Sequence, residues 1–294
     1  MKQMKIILRR MFDRFFLPLT KRLVILEQRS LINAAFSRAS ATMQTRIIDP
    51  TDPLSWEFSG FSQSGEDGIL DYLAGRFKNK TRYFIDIGAS EGINSNTAWF
   101  ARARNFTGLM IDGNRKSIES GWKTAQFCTE LVCLFVDKDS VETLKKLAVH
   151  LDPDIFSLDI DGNDYYVARA IMEAGFRPGI FIVEYNSAFG PRESITIDYK
   201  KDFNNSEAHA SQLYYGVSIS GWKTFFKRWE YAFVTVDSNG VNAIFIDRRQ
   251  FDPGFAAGLK GLQFAENFYQ RNKFKCGWEQ QFELIKDMNY VSID

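Results

Sequence analysis

The amino-acid sequence predicts an α/β fold built on a doubly wound, mostly parallel sheet. Five short apolar runs between Arg82 and Tyr185 are each followed by a polar turn, four of them leading into a helical pattern. Strand–helix units of that length require parallel strands joined by right-handed crossovers. Two further strand-like runs then flank Ser238-Asn239-Gly240. Asn-Gly accepts the positive φ of a tight hairpin, so one strand of that pair must run antiparallel in the sheet. The 294 residues, 45% hydrophobic and 15% aromatic, supply a core for one large domain with appendages.

Residues 1–48 read as a basic helical arm. Leu8, Met11, Phe12, Phe15, Phe16 and Leu19 follow the spacing of one helical face, with Arg9, Arg10, Asp13 and Arg14 on the other side. Pro18 is expected to kink or divide this helix. Residues 1–46 hold ten Lys or Arg against two acids, a net +8, while the whole chain carries +1 and the remainder therefore −7. The arm suits either an interfacial helix on anionic lipid or a helix packed on its own domain or on a second copy. No apolar run reaches the ~18 residues of a spanning helix, and the basic residues interrupting residues 6–26 make a poor signal-peptide core. Near-neutral net charge excludes a general nucleic-acid binder. Cys128, Cys133 and Cys276 form no zinc-like or disulfide pattern and read as buried thiols in a reducing cytoplasm, with the inner membrane face open to the arm.

Residues 49–60, with "DPTDPLSW", form a linker. The main domain spans 61–250, with a polar insertion at 186–214, and an aromatic, mostly helical tail occupies 251–294. That tail suits a cap over an acceptor site or a dimer contact. Within the domain, "RYFIDIG", "TGLMIDG", "ELVCLFVD", "DIFSLDI" and "GIFIVEY" are the five parallel strands.

In a doubly wound sheet the loop after the first strand faces the ligand crevice. Here that loop is "DIGASEG", with Asp86, Gly88, Ser90 and Gly92 as the expected contacts. Its spacing, D-x-G-x-x-x-G, differs from the dinucleotide fingerprint G-x-G-x-x-G. A loop with no pyrophosphate to cradle suits adenosine carrying an amino-acid side chain. Asp112 ends the second strand, where a carboxylate can accept hydrogen bonds from both hydroxyls of a ribose. Asp137, ending the third, is a candidate for an adenine amino group or an ordinary helix cap. Together these favour S-adenosylmethionine over NAD.

"FIDIGASEG", "MIDGN", "LDIDGND", "FIVEYN" and "GVNAIFIDR" resemble the successive motifs of the FkbM-type class I methyltransferases, over roughly Phe61 to Arg248. Asp159, Gly162 and Asp164 fill the family pattern at the fourth strand, with Asp161 and Asp164 as shorter acids where Glu is usual. The resemblance implies the class I methyltransferase fold and transfer of a methyl group from S-adenosylmethionine to an oxygen, on a sugar or glycan acceptor linked to surface polysaccharide. Ser62 and Gln63 precede the helix "GEDGILDYLAG", which either closes over the methionine end of the donor, with Gln63 as a contact, or is an ordinary capped helix.

In such a fold the ends of the fourth and fifth strands flank the transferred methyl. Asp159, Asp161, Glu184 and Asn186 there suit Mg²⁺, Ca²⁺ or Mn²⁺. Without a metal, Asp159 or Asp161 serves as general base once desolvation raises its pKa. Strand alternation is expected to point Asp159 and Asp161 the same way. Asp164 reads as a helix N-cap. His209, in the polar insertion, is a further candidate base, and His150 reads as structural. Two rivals stand beside this reading: a nucleotide-sugar glycosyltransferase using Asp159-x-Asp161, and a non-catalytic scaffold of the same fold.

Overall fold

The computed structural model describes residues 2–125 and 128–294, with side chains given for Phe16 and from Pro18 onward. Helix α1 runs unbroken from Lys2 to Thr45 with Pro18 inside it, so the proline does not divide the arm. A proline removes one backbone hydrogen bond and crowds the preceding turn, but the turns after it are held by packing on the domain. Ala35 and Ala39 are buried in one core with Phe61, Trp99 and Trp56, and Ile32 and Met43 pack against it. Phe36 meets Phe61 edge to face at 5.2 Å, Gln28 Nε2 donates to Ser120 Oγ at 2.8 Å, and Arg38 donates to the carbonyls of Ser59 and Gly60. This half of the arm is therefore packed on its own domain. Leu8, Met11, Phe12 and Phe15 of the expected apolar face lie outside the described side chains; Phe16 and Leu19 are exposed.

The main sheet contains β1 (Tyr83–Ile87), β2 (Thr107–Asp112), β3 (Thr129–Cys133), β4 (Ile155–Leu158) and β5 (Ile180–Glu184), all parallel. A short strand of the insertion, β6 (Ile195–Ile197), lies apart from it, and the hairpin strands β7 (Tyr231–Val236) and β8 (Asn242–Asp247) complete it. The order is β3-β2-β1-β4-β5-β8-β7, with β8 antiparallel to both neighbours. This is a doubly wound, mostly parallel sheet as the sequence predicts, and its one reversed strand comes from the Asn-Gly hairpin, where Gly240 sits at φ 69°.

Side-chain alternation gives the sheet two apolar faces. Phe84, Met110, Ile182 and Ile244 face α1, α2 (Glu66–Ala74), α3 (Ala98–Ala103) and α4 (Arg115–Gly121). Ile85, Phe156, Phe181 and Phe245 face α5 (Val141–Leu147) and α6 (Asp164–Glu173), and, beyond the short insertion helix α7 (Asn205–Ala208), α8 (Ile219–Arg228). The tail adds α9 (Pro253–Gly258), α10 (Phe268–Phe274), α11 (Trp278–Glu283) and β9 (Tyr290–Ser292). β9 pairs antiparallel with β6, and Phe189, Leu213 and Ile285 form a small separate core between insertion and tail. The tail thus closes over the insertion. The three cysteines are free and partly exposed, not buried as expected.

Phe226 of α8 is fully buried, stacks on Phe245 of β8 at 4.2 Å and meets Phe181 of β5 at a tilt, 5.0 Å between centroids. Phe226→Ala empties that joint between helix and sheet, and chemical denaturation should show a loss of about 3–5 kcal/mol.

Candidate functional site

The carboxyl ends of β1, β2, β4 and β5 surround one crevice. The chain turns away from β1 at Gly88, whose φ is 90°. A Cβ built there would lie 1.7 Å from the carbonyl oxygen of Asp159, so no side chain fits between the ends of β1 and β4. Ser90, also in a left-handed conformation, donates its N–H to Asp112 Oδ2 at 2.9 Å. Asn114 N–H donates to Asp112 Oδ1 at 2.6 Å. Each carboxylate oxygen thus fixes one loop and keeps lone pairs for a further donor. Gly88, Ser90, Asp112, Phe135, Asp159 and Asp161 line a cavity of 560 Å³, within the range of about 300–1,000 Å³ typical of small-molecule sites.

A second, narrower cavity of 60 Å³ shares Gly88 and Asp159 with the first and extends between Ser62, Gln63, Asp86 and Asn242. Its walls are polar and braced. Asp86 Oδ2 accepts from Thr97 Oγ1 at 2.7 Å; burial raises the Asp86 pKa and hydrogen bonds, that from Thr97 foremost, oppose the rise. Asn242 Nδ2 donates to Glu66 Oε1 at 2.7 Å, while Asn242 Oδ1 is buried with no partner. Asp67 Oδ2 accepts three backbone N–H groups, from Gly60, Phe61 and Ser62. Those bonds do not fully offset desolvation, and the Asp67 carboxyl is pushed up to about 7. Ser62 Oγ accepts from Asp67 N–H at 3.0 Å, so Ser62 both holds the first turn of α2 and lines the narrow cavity.

At the far side of the wide cavity one carboxylate oxygen from each of Asp159, Asp161 and Glu184 lies within 4.8 Å of the other two. Strand alternation does not cause this convergence. β4 ends at Leu158, and Asp161 is turned inward by a left-handed backbone conformation, φ 55°, which Asp tolerates better than most residues. Desolvation raises Asp159 well above the usual carboxylate range; repulsion from Asp161, Asp164 and Asp86 adds to it, and a hydrogen bond with Glu184 opposes it. Glu184 is likewise raised well above its usual range by burial first and by Asp159 next. Two carboxylates this close and this buried repel each other when both are ionised, so a proton or a cation would relieve the pair. Desolvation also raises Asp161, which is exposed to the crevice. Glu184 Oε1 accepts from the Tyr215 hydroxyl at 3.3 Å, and Gln270 Nε2 donates to that hydroxyl at 3.0 Å. Glu184 Oε2 is buried without a partner.

Several expected contacts fall elsewhere. Asn186 is fully buried, donates to the carbonyls of Leu213 and Tyr215, and accepts from Ala188 N–H. Its amide is consumed in holding the insertion and is not a metal ligand. Asp137 Oδ1 accepts from the N–H groups of Asp139 and Ser140; it stabilises its own turn and does not line the cavity. Gly92 packs on Met110 and lines neither cavity. Asp164 is the first residue of α6, after Asn163, and accepts from Ile160 and Gly162 N–H at 3.0 and 2.8 Å. It braces the loop that carries Asp161 instead of capping the helix, and burial pushes its carboxyl up to about 6. His209 Nδ1 is engaged with Ser211 Oγ at 2.8 Å in its own turn and lines none of the crevice. Sequence reasoning missed Phe135, Asn242, Tyr215 and Gln270. Asn242 stands in the quoted run "GVNAIFIDR", whereas nothing local marks Gln270 of the tail.

No family model matches the chain, and no curated protein matches it. Solved structures of similar fold include the O-methyltransferase TomG from Streptomyces achromogenes, in complex with SAM, at 15% identity over 72% of this chain and 88% of that one, with a TM-score of 0.42. An O-methyltransferase from Bacillus cereus, in complex with SAH, is 14% identical over 74% and 89%, with a TM-score of 0.41. A putative O-methyltransferase from Klebsiella pneumoniae is 12% identical over 60% and 88%, with a TM-score of 0.36. Likeness at this level says nothing about the activity of this chain.

The acids give a pH signature. A carboxyl whose pKa is raised by folding is neutral without cost below its ordinary value. It destabilises the fold increasingly as pH rises from that value, near 4.3 for Glu, towards the folded one. Glu184→Gln cannot ionise. Its melting temperature should exceed that of the parent protein at pH 8 by at least about 2 °C, the shift that roughly 1 kcal/mol produces in a chain of this size, and the two should converge at pH 4.

Proposed function

We propose that this chain is an S-adenosylmethionine-dependent O-methyltransferase of FkbM type, acting on a sugar or glycan hydroxyl with the help of a divalent cation. The observation that carries the reading is the position of Asp159 and Asp161 at the edge of the cavity defined by Gly88 and Asp112, with a Glu184 oxygen within 4.8 Å of theirs. The residues fit both groups. The missing side chain at Gly88, the free lone pairs of Asp112 and the orphaned Asn242 Oδ1 suit a nucleoside with a polar amino-acid end. The buried, unpartnered Glu184 Oε2 beside two further acids suits a hard cation.

When bound, the donor would supply a methyl group already activated on sulfonium, and the cation would lower the pKa of an acceptor hydroxyl. The chain's own part is alignment and proton transfer. Asp112 accepts hydrogen bonds from the ribose hydroxyls. Asp86, Glu66 and Asn242 offer acceptors to an ammonium group. Asp161, exposed to the crevice, receives the proton released by the acceptor hydroxyl. Tyr215, steadied by Gln270, orients Glu184. Beyond Asp161 a further cavity of 600 Å³ is lined by Phe135, Phe203, Asn204, Asn205, Ser206 and Gln212, a mixture of two aromatic rings and many hydrogen-bonding groups that suits a carbohydrate.

Titration calorimetry with S-adenosylhomocysteine should give micromolar binding, weakened at least about ten-fold in Asp112→Ala, as the loss of even one hydrogen bond to a charged acceptor, at about 1.5–3 kcal/mol, requires. Mn²⁺ should bind the parent protein and not Asp161→Ala. Absence of heat with the nucleoside and binding of a nucleotide sugar instead would replace this reading with glycosyl transfer.

A further inference from the structure

Helix α1 carries two apolar stripes. At 100° per residue, Val24, Ile32, Ala35, Ala39 and Met43 fall on one side, with Gln28 among them, and this side is turned to the domain. Leu19, Leu23 and Leu26 fall on the opposite side and are 52%, 55% and 61% exposed. The sequence continues the second stripe towards its start with Leu8, Phe12 and Phe16. A helix that needed only to pack on this domain would place polar residues there.

We propose that this outer stripe docks the protein on an anionic lipid bilayer, with α1 lying in the plane of the surface. Charge selects the occupant. Residues 1–46 carry +8, and among residues 16–46 Glu27 is the one acid, against Lys21, Arg22, Arg29, Arg38 and Arg46. Lys21, Arg22 and Arg29 are exposed, with Arg22 and Arg29 to one side of the stripe. Pairing the stripe with a second copy would bring two strongly basic segments together. An anionic surface has the complementary charge, and its interfacial zone accepts the leucines. Among the described residues no helix is long and apolar enough to cross a membrane, so the contact is peripheral. The stripe that faces the domain ends on Gly60 and Phe61, next to Ser62 and Gln63 of the narrow cavity, so docking needs no detachment of the arm from the site.

Flotation of the full-length chain with lipid vesicles tests this. The protein should rise with vesicles containing phosphatidylglycerol and stay behind with pure phosphatidylcholine. The variant L19Q/L23Q/L26Q, neutral and helix-compatible, should bind the anionic vesicles at least about ten-fold more weakly, and high salt should weaken the parent protein. Melting curves of parent and variant should coincide, since the substituted residues face outward. Equal binding by the variant, or binding to both kinds of vesicle alike, overturns the proposal. So does a lipid-free dimer in light scattering that L19Q/L23Q/L26Q converts to monomer, which would make the second copy the occupant.

Discussion

Carboxylates deprived of water are the constraint around which this molecule is arranged. Asp159 and Glu184 stand at the ends of adjacent parallel strands, both raised well above their ordinary range by burial first, Asp159 then by Asp161, Asp164 and Asp86, and Glu184 by Asp159. A fold pays for such a pair only when something offsets the repulsion. Part of the offset is local: the Tyr215 hydroxyl on Glu184, and Asp164 binding the N–H groups of Ile160 and Gly162 to hold the loop. The remainder is left open, as the unpartnered Glu184 Oε2 shows. A proton satisfies it at low pH, and the proposed cation would do so at neutral pH.

The appendages serve the same crevice. The arm packs Ala39 against Gly60, and Asp67 gathers the N–H groups of Gly60, Phe61 and Ser62, so the wall of the narrow cavity depends on a helix distant in sequence. At the opposite end, Gln270 of the tail reaches Tyr215 of the insertion and through it Glu184. The β6–β9 pairing and the small core around Phe189 and Ile285 make insertion and tail one unit. The tail is therefore part of the support of the site and not a loose extension.

Periodicity made the sheet legible in the sequence, because parallel strands buried on both faces read as short continuous apolar runs and Asn-Gly marks its hairpin. Asp86, Gly88, Ser90 and Asp112 were legible for a related reason: a strand end in a doubly wound sheet has a fixed position relative to the crevice. What failed was orientation beyond the strands. Asn186 lies two residues past Glu184, yet the backbone turns there and its amide faces the insertion. Asp161 reaches the site by a left-handed turn that no periodic pattern encodes. Asp137 and Asp164 have side chains short enough to bind neighbouring N–H groups, and local hydrogen bonds claimed them first. Tyr215 and Gln270 come to the centre through long-range packing, to which single-sequence patterns are blind. Pro18 does not divide the arm, because the turns after it are held by packing on the domain.

The central claim is that the acids of β4 and β5 and the β1–β2 loops form one site for a nucleoside donor and a cation. A crystal structure of the full chain with S-adenosylhomocysteine and Mn²⁺, recorded at the manganese absorption edge, tests it most directly. The account predicts ribose oxygens on Asp112, the amino-acid end between Asp86 and Asn242, and an anomalous peak ligated by Asp159, Asp161 and Glu184. A nucleoside bound away from Gly88 and Asp112, or manganese bound elsewhere with those acids still sharing a proton, would contradict it.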